Sequence, residues 1–303
     1  MNYYELEPKD NFFTDIIIDV THRCNMTCKN CYIPNRDIPD MDIDKMISAI
    51  EMLPKRTMIR IIGAEPTMRS DLPEIITRIR NSGHRCTLLT NGLRLARDSY
   101  VKTLKSAGLR HCYLSLNGAD NDDWYEDIDE LRCADKKVAA LENLVRNRFI
   151  IDTGTIIVKG INDEVVDRML NLYSRIGVKN AVCRIKNIGD IGRSMDTENY
   201  TQEQLVKLIS EQSGLSLDYI YSWKDKPIYE NKEIEPDSFM FPLDPNAANK
   251  PLHKSGIWFK VANWDIENPE KIPSPNSKRR GRLTPEFKIA PFFEHVKRNE
   301  YGY

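Results

Sequence analysis

Three cysteines stand within eight residues of one another in Cys24-Asn-Met-Thr-Cys28-Lys-Asn-Cys31, and they offer the first chemistry in the chain. Thiolates spaced this way on one loop can hold three corners of a cubane iron–sulfur cluster, leaving the fourth iron open to a substrate or cofactor. A four-cysteine ferredoxin spacing would close that position, and structural zinc sites bring two cysteine or histidine pairs. The alternatives are ordinary thiols, or a zinc knuckle completed by His22. A second candidate is Gly63-Ala64-Glu65-Pro66-Thr67, where strand-end carbonyls and a carboxylate would together accept hydrogen bonds from an ammonium group.

Four further cysteines, at 86, 112, 133 and 183, stand alone. Cys86 and Cys112 fall within apolar strand segments and read as small buried hydrophobes. Cys133 opens a helical segment and has no partner in the sequence. Cys183 lies on a strand near the end that would carry a site. Packing is its simpler role, and a reactive thiol at that site is the sharper one. An odd count with one tight group favours metal binding over disulfides.

Those groups need a scaffold. Short apolar segments at Asp15–Val20, Met58–Ile62, Arg85–Leu89, His111–Leu116, Asp152–Val158 and Asn180–Ile185 read as buried parallel strands. Amphipathic helices separate them: Asp42 caps Ile43, Met46, Ile47 and Ile50, and Ser70 or Asp71 opens Ile75, Ile76 and Ile79 before Gly83. Asp98 precedes Val101 and Leu104, the stretch Asp135–Arg146 carries Val138, Leu141, Leu144 and Val145, and Asp163 precedes Val166, Met169 and Tyr173. Strands alternating with helices imply right-handed crossovers and a parallel sheet, an α/β fold whose natural closed form is a partial (β/α)6 TIM-like barrel. The rhythm fails after Gly192. One more helix follows from Thr201, where Thr201 and Gln204 fit a capping box. Beyond it, residues 215–223 and 256–264 look like strands within an α+β extension. The expected division is therefore 1–193 as the barrel and 194–303 as an extension over its mouth, and the acidic stretch Asn121–Glu130 reads as a solvated loop.

With a net charge of -1 over 303 residues, no global field favours nucleic acid or an anionic membrane. The N-terminus lacks the basic and apolar regions of a signal peptide, and no apolar run approaches membrane-spanning length. The chain reads as cytoplasmic.

The motifs and their order resemble the radical SAM superfamily, whose CxxxCxxC signature follows the first barrel strand. The resemblance covers about residues 12–193. It implies that Cys24, Cys28 and Cys31 ligate a [4Fe-4S] cluster and that Gly63, Ala64, Glu65, Pro66 and Thr67 stand where the family's GGEP motif binds the amino group of S-adenosylmethionine (SAM). Ala64 replaces the usual second glycine. Thr90-Asn91-Gly92 resembles the family's turn after strand three, which brings Asn91 to the cofactor. Ser115 and Asn117 resemble the turn that faces the SAM ribose or carboxylate. Val158 sits where an apolar contact to adenine is placed, and Arg184 with the run Asn187–Arg193 matches the sixth-strand region of adenine contact. The family's aromatic residue before the third cysteine is Asn30 here, and the following Tyr32 is either its substitute or a core residue.

What the resemblance implies is reductive cleavage of SAM to a 5′-deoxyadenosyl radical that abstracts hydrogen from a substrate, with an electron donor such as flavodoxin or ferredoxin. No cysteine follows Cys183 to bind further clusters, and about a dozen residues precede the first strand, too few for a leader-peptide domain. Both favour a small polar metabolite over a peptide side chain, which stays open. So does a non-catalytic iron–sulfur electron-transfer or sensor role, although Glu65 favours an enzyme. The basic run Lys278-Arg279-Arg280-Gly281-Arg282, with Lys288, Lys297 and Arg298, is either solvated surface or a clamp on an anionic substrate, walled by Trp258, Phe259 and Trp264.

Overall fold

In the computed structural model, six parallel strands lie side by side in chain order: β1 (Asp15–Asp19), β2 (Met58–Ile62), β3 (Arg85–Thr90), β4 (His111–Ser115), β5 (Ile150–Ile156) and β6 (Ala181–Lys186). The structure describes residues 4–31, 33, 35–188, 193, 195, 197–224, 226, 238–247, 252, 254–262 and 280–292. The crossovers carry α1 (Ile43–Met52), α2 (Leu72–Asn81), α3 (Asp98–Ser106), α4 (Asp122–Asp129), α5 (Ala134–Arg146) and α6 (Val165–Ile176). Alternate strand residues go to the helices: Ile16 and Ile18, Ile59 and Ile61, and Cys112 and Leu114 share one buried cluster with Met46, Ile76 and Leu144. Their strand neighbours turn to the opposite, inner face. This is the mostly parallel α/β arrangement of a partial TIM-like barrel.

Helix ends follow local chemistry. The Asp42 carboxylate accepts from Lys45 N at 2.9 Å, and Thr201 and Gln204 form the expected capping box on α7 (Gln202–Ser213). Asp98 and Asp163 sit beside rather than at their caps: Arg97 and Glu164 hold those positions, Asp98 accepts from Asn147, and Asp163 accepts from the Tyr200 hydroxyl.

Two expectations are overturned. The acidic stretch Asn121–Glu130 is not a loop: the Asn121 side chain caps α4, which buries Tyr125, Ile128 and Asp129. Their i, i+3, i+4 spacing is helical, and the surrounding acids only line its wet face. Residues 217–221 are not a strand but α8 (Leu217–Tyr221), capped by Ser216 through Tyr219 N. Here the alternation of Leu215, Leu217, Tyr219 and Tyr221 misleads, because Ile220 and Trp223 supply the buried contacts while Leu217 and Tyr221 stay exposed.

The sheet also continues past residue 193. β8 (Ile257–Ala262) pairs parallel with β6, and β7 (Ser238–Pro242) lies antiparallel outside it. At the other flank β9 (Arg280–Leu283) pairs parallel with β1, followed by β10 (Ile289–Pro291). Arg282 is therefore no part of a solvated run: it is 1% exposed, and its Nε donates to Asp19 at 2.9 Å. Lys288 pairs with Glu7 at the surface, while Lys278, Arg279, Lys297 and Arg298 lie outside the described residues. Trp258 packs edge-on against Trp223 and Phe259 against Phe241, both as core, and Trp264 lies outside the described residues. Among the described residues no helix is long and apolar enough to cross a membrane.

Candidate functional site

The cysteine loop leaves the C-terminal end of β1 and is laced to the end of β2. Ala64 N donates to Thr21 O at 2.9 Å and Glu65 N to Arg23 O at 3.0 Å. Gly63 makes this closeness possible: its φ is +136°, and a Cβ there would stand 2.3 Å from Thr21 O. Ala64 is absent from the residues with positive φ, so its side chain in place of a second glycine is tolerated. Farther along, Lys29 N donates to Ile128 O, Arg193 N to Cys31 O, and the Arg36 guanidinium to Cys31 Sγ at 3.0 Å.

Cys24, Cys28 and Cys31 are partly exposed, whereas Cys86, Cys112, Cys133 and Cys183 are buried. Burial pushes the Cys24 thiol above its ordinary range, and burial with the nearby Asp129 carboxylate pushes Cys28 far higher. A bare pair of thiolates is therefore costly here, and a positive metal centre would reverse that cost. Among the described residues no three His, Cys, Asp or Glu side chains gather as a single-ion site. His22 is buried instead, with Nδ1 against Asn35 O at 3.3 Å. A cubane asks for less convergence, because each thiolate reaches its own iron, so the three-cysteine donor set fits a [4Fe-4S] cluster.

Glu65 is the other fixed point. It is fully buried, and Oε1 accepts from Thr67 N at 3.0 Å, Thr67 Oγ1 at 2.5 Å and Thr90 Oγ1 at 2.7 Å. Oε2 accepts from Asn91 N at 2.7 Å. A carboxylate offers about four lone-pair sites, so Oε1 is saturated and Oε2 keeps room for one more donor. Pro66 starts the short 3-10 turn that carries Thr67 back onto this carboxylate. Asn91 then reaches the cysteine loop, its Nδ2 donating to Asn25 Oδ1 at 2.8 Å and lying 3.9 Å from Cys24 Sγ.

The ends of β4 and β5 meet in a second network. Asn117 Oδ1 accepts from Ile156 N, and Asn117 Nδ2 donates to Asp129 Oδ1 at 3.0 Å. Beside it Val158 packs with Ile128 and Ile188 in a small apolar cluster bordered by Ile156, Ile161 and Met195. Ser115 contributes its carbonyl to Lys137 Nζ at 3.1 Å.

Several site residues escaped the sequence reading. Lys137 is fully buried, with Nζ also donating to Asn91 O at 2.7 Å. A lysine in register with Leu141 and Leu144 on an apolar helix stripe was the readable signal. Asp129, hidden in the acidic stretch, is 2% exposed, and its Oδ2 makes no hydrogen bond among the described residues. Asn162, which donates to both Asn117 O and Ile156 O, carried no signal at all.

Arg184 is the fourth residue of β6. Its backbone is engaged by β5 and β8, and its side chain sits on the inner face, 3.2 Å from Asp152 Oδ2 and over the Tyr113 ring. Cys183 takes the simpler of its two roles, packing: it faces the helices, fully buried, with its thiol 3.4 Å from the Tyr173 hydroxyl and pushed up to about 12 by burial. A thiol behind the sheet cannot give hydrogen to a radical in front of it. Cys133 packs with Met26 and Tyr125, bordered by Cys24 and Cys28. Tyr32 lies outside the described residues, as does the run 189–192.

Known proteins share this arrangement. The model of the Radical SAM superfamily matches residues 18–173. A 7,8-dihydro-6-hydroxymethylpterin dimethyltransferase of Methanocaldococcus jannaschii is 38% identical over 109 residues, 33% of this chain and 22% of that protein. A probable GTP 3′,8-cyclase of Metallosphaera sedula is 27% identical over 204 residues, 65% of this chain and 63% of the other. The chain thus spans less than two thirds of either relative's own length. In structure, Streptococcus suis SuiB bound to S-adenosylmethionine matches with a TM-score of 0.62 at 14% identity, over 93% of this chain and 61% of that one, which is a likeness of fold.

Proposed function

The chain belongs to the radical SAM superfamily, and on that premise we propose that its enzyme activity is directed at a small polar metabolite. It is a radical SAM enzyme with a [4Fe-4S] cluster and SAM as its cofactors. Cys24, Cys28 and Cys31 would hold the cluster. Bound together, the cluster and SAM supply reductive cleavage of the sulfonium C–S bond and a 5′-deoxyadenosyl radical able to take hydrogen from a substrate.

The chain's own residues do the positioning. Glu65 Oε2 receives the SAM ammonium at its remaining lone pair, and Thr67, Thr90 and Asn91 fix that carboxylate through four hydrogen bonds. Val158, Ile128 and Ile188 offer an apolar seat for adenine and exclude water beside the cysteine loop. Asn117 and Asp129 face the ribose, where the unused Asp129 Oδ2 would accept a hydroxyl. Arg36 donates to the Cys31 sulfur and tempers its charge. Lys137 holds the turns after β3 and β4 together through their carbonyls.

One observation carries this reading: a buried carboxylate with a single open lone pair is tied by two backbone hydrogen bonds to the loop of three partly exposed thiols. A low-potential donor such as flavodoxin or ferredoxin would supply the electron, in the cytoplasm. Residues 194–303 would cover the barrel mouth. A peptide side chain is the competing substrate class, and a fold neighbour is known bound to its precursor peptide. The test is anaerobic reconstitution followed by reduction with dithionite in the presence of SAM. Formation of 5′-deoxyadenosine by the wild type and its loss in Cys28→Ala supports the reading, and a fully loaded protein that leaves SAM intact refutes it.

A further inference from the structure

A lysine is buried beside the cysteine loop in a place where local chemistry disfavours it. Lys137 is the fourth residue of α5, its N–H donating to the N-cap carbonyl of Cys133, and its side chain is fully buried. A cation at a helix N-terminus opposes the helix dipole, and burying an ammonium is costly unless acceptors replace water. The acceptors are there: Asn91 O at 2.7 Å, Ser115 O at 3.1 Å and the face of the Tyr125 ring, 5.3 Å from Nζ to the centroid. Three acceptors fit the three N–H donors of an ammonium, whereas a neutral amine has only two. Each of those partners is neutral, so none of them cancels the charge.

The surroundings of this lysine belong to the cysteine loop. Tyr125 packs with Met26, Cys133 and Ala134 in a small cluster bordered by Cys24 and Cys28. Asn91, held by Lys137 through its carbonyl, donates from its N–H to Glu65 and places Nδ2 3.9 Å from Cys24 Sγ. Asp129 enters the same space from α4, 2% exposed, with Oδ1 accepting from Asn117 Nδ2 at 3.0 Å. Both charges reach the second cysteine. After burial, the Asp129 carboxylate pushes the Cys28 thiol up and the Lys137 ammonium pulls it down.

We propose that Lys137 and Asp129 are opposed charges that set the reduction potential of the [4Fe-4S] cluster, the lysine easing reduction and the aspartate resisting it. The inference rests on the radical SAM reading above, since it needs the cluster on Cys24, Cys28 and Cys31, and neither side chain is a ligand. Reduction adds one negative charge to the cluster, so a buried cation beside it favours the reduced form and a buried anion the oxidised one. Salt screens such buried charges much less than it screens surface ones. Joining two carbonyls needs only a donor such as an amide, and an apolar side chain would fill the space beside Tyr125. The lysine adds a charge that packing alone does not use.

The experiment is anaerobic potentiometry of reconstituted protein without SAM, read by the electron paramagnetic resonance of the reduced cluster and normalised to iron content. At a fixed poise, Lys137→Met should lower the ratio of reduced to oxidised cluster about tenfold, which is about 59 mV for one electron, while Lys137→Arg keeps it near the wild type. Asp129→Asn retains the oxygen that faces Asn117 and should raise the ratio by a similar factor. A purely structural role for the two side chains would change cluster loading or stability without shifts of opposite sign. Unchanged potentials, shifts of one sign in both neutral variants, or a Lys137→Arg that falls with Lys137→Met overturn the proposal. Where Lys137→Met does not load iron, Asp129→Asn decides: a raised ratio supports the charge pair, and an unchanged or lowered one refutes it. Measuring 5′-deoxyadenosine after SAM and dithionite are added to the wild type separates the failures. SAM cleavage with unshifted variant potentials refutes the charge pair alone, and shifted potentials without SAM cleavage refute the radical SAM activity alone.

Discussion

Replacing Glu65 with glutamine removes a charge from a side chain that four donors already hold, so the variant tests fold and cofactor binding at once. With its amide oxygen kept at the Oε1 position, glutamine sets an NH2 group against Asn91 N, where the two heavy atoms now stand 2.7 Å apart. That backbone N–H loses its acceptor inside the protein, at a cost of about 1–3 kcal/mol. The three bonds from Thr67 and Thr90 fall from charge-assisted to neutral, about 1 kcal/mol each. Relief from burying a charge offsets part of this, leaving a net loss of about 3 kcal/mol. In urea unfolding of the cluster-free protein, that is a midpoint about 1 M lower at a slope of about 3 kcal/mol per molar. In reconstituted protein the iron content should be unchanged, because Glu65 is not a ligand. SAM affinity should fall roughly tenfold to a hundredfold from one lost charge-assisted bond. Thr90→Val is the control: it removes one donor from Oε1, lowers stability and leaves SAM affinity nearly intact. An unfolding midpoint within about 0.2 M of the wild type would refute the four-bond accounting, and unchanged calorimetric SAM affinity would remove Glu65 from the cofactor site.

Alanine at Cys24, Cys28 or Cys31 should abolish the iron–sulfur absorption of reconstituted protein, whereas Cys86→Ala and Cys112→Ala, behind the sheet, should keep it; the spectra and iron counts decide. Gly63→Ala must move Thr21, whose carbonyl is 2.3 Å from the added Cβ, so cluster loading should drop even in folded protein, as iron analysis with circular dichroism will show. Arg282→Ala strands the Asp19 carboxylate, which is 8% exposed, and should destabilise the protein by about 3–5 kcal/mol in denaturant unfolding. Deleting residues 276–303 removes β9 from the flank of β1, so it should lower stability and cluster loading together rather than merely uncouple SAM cleavage from turnover.

The local code was legible wherever an element is determined by its own residues. Strand β2 runs over Met58–Ile62 as its apolar run requires, α7 starts at its capping box, and the cysteine and Gly-Ala-Glu motifs stand at adjacent strand ends as their order along the chain implies. Reading failed where a residue's role depends on what packs against it. Asn121–Glu130 looked solvated because six acids dominate its composition, and three buried side chains on one helical face decided otherwise. Residues 217–221 alternate like a strand, but a serine cap and the docking of Ile220 made them a helix.

Long-range pairing lay beyond the sequence for a related reason. Nothing local says that β9 must join β1 from more than 260 residues away, or that Arg282 must meet Asp19, which is 263 residues distant. A basic run reads the same whether water or a carboxylate lies opposite, because charge alone does not name its partner. The sequence by itself therefore determined the chemistry of the loop, the three thiols and the carboxylate, since those depend on residue type and on order along adjacent strands. Tertiary structure alone decided which side of the sheet each remaining group serves. Alternation in a strand fixes that two faces exist, and only the closing of the sheet makes one of them, with Lys186, Lys260 and Arg280, the inside.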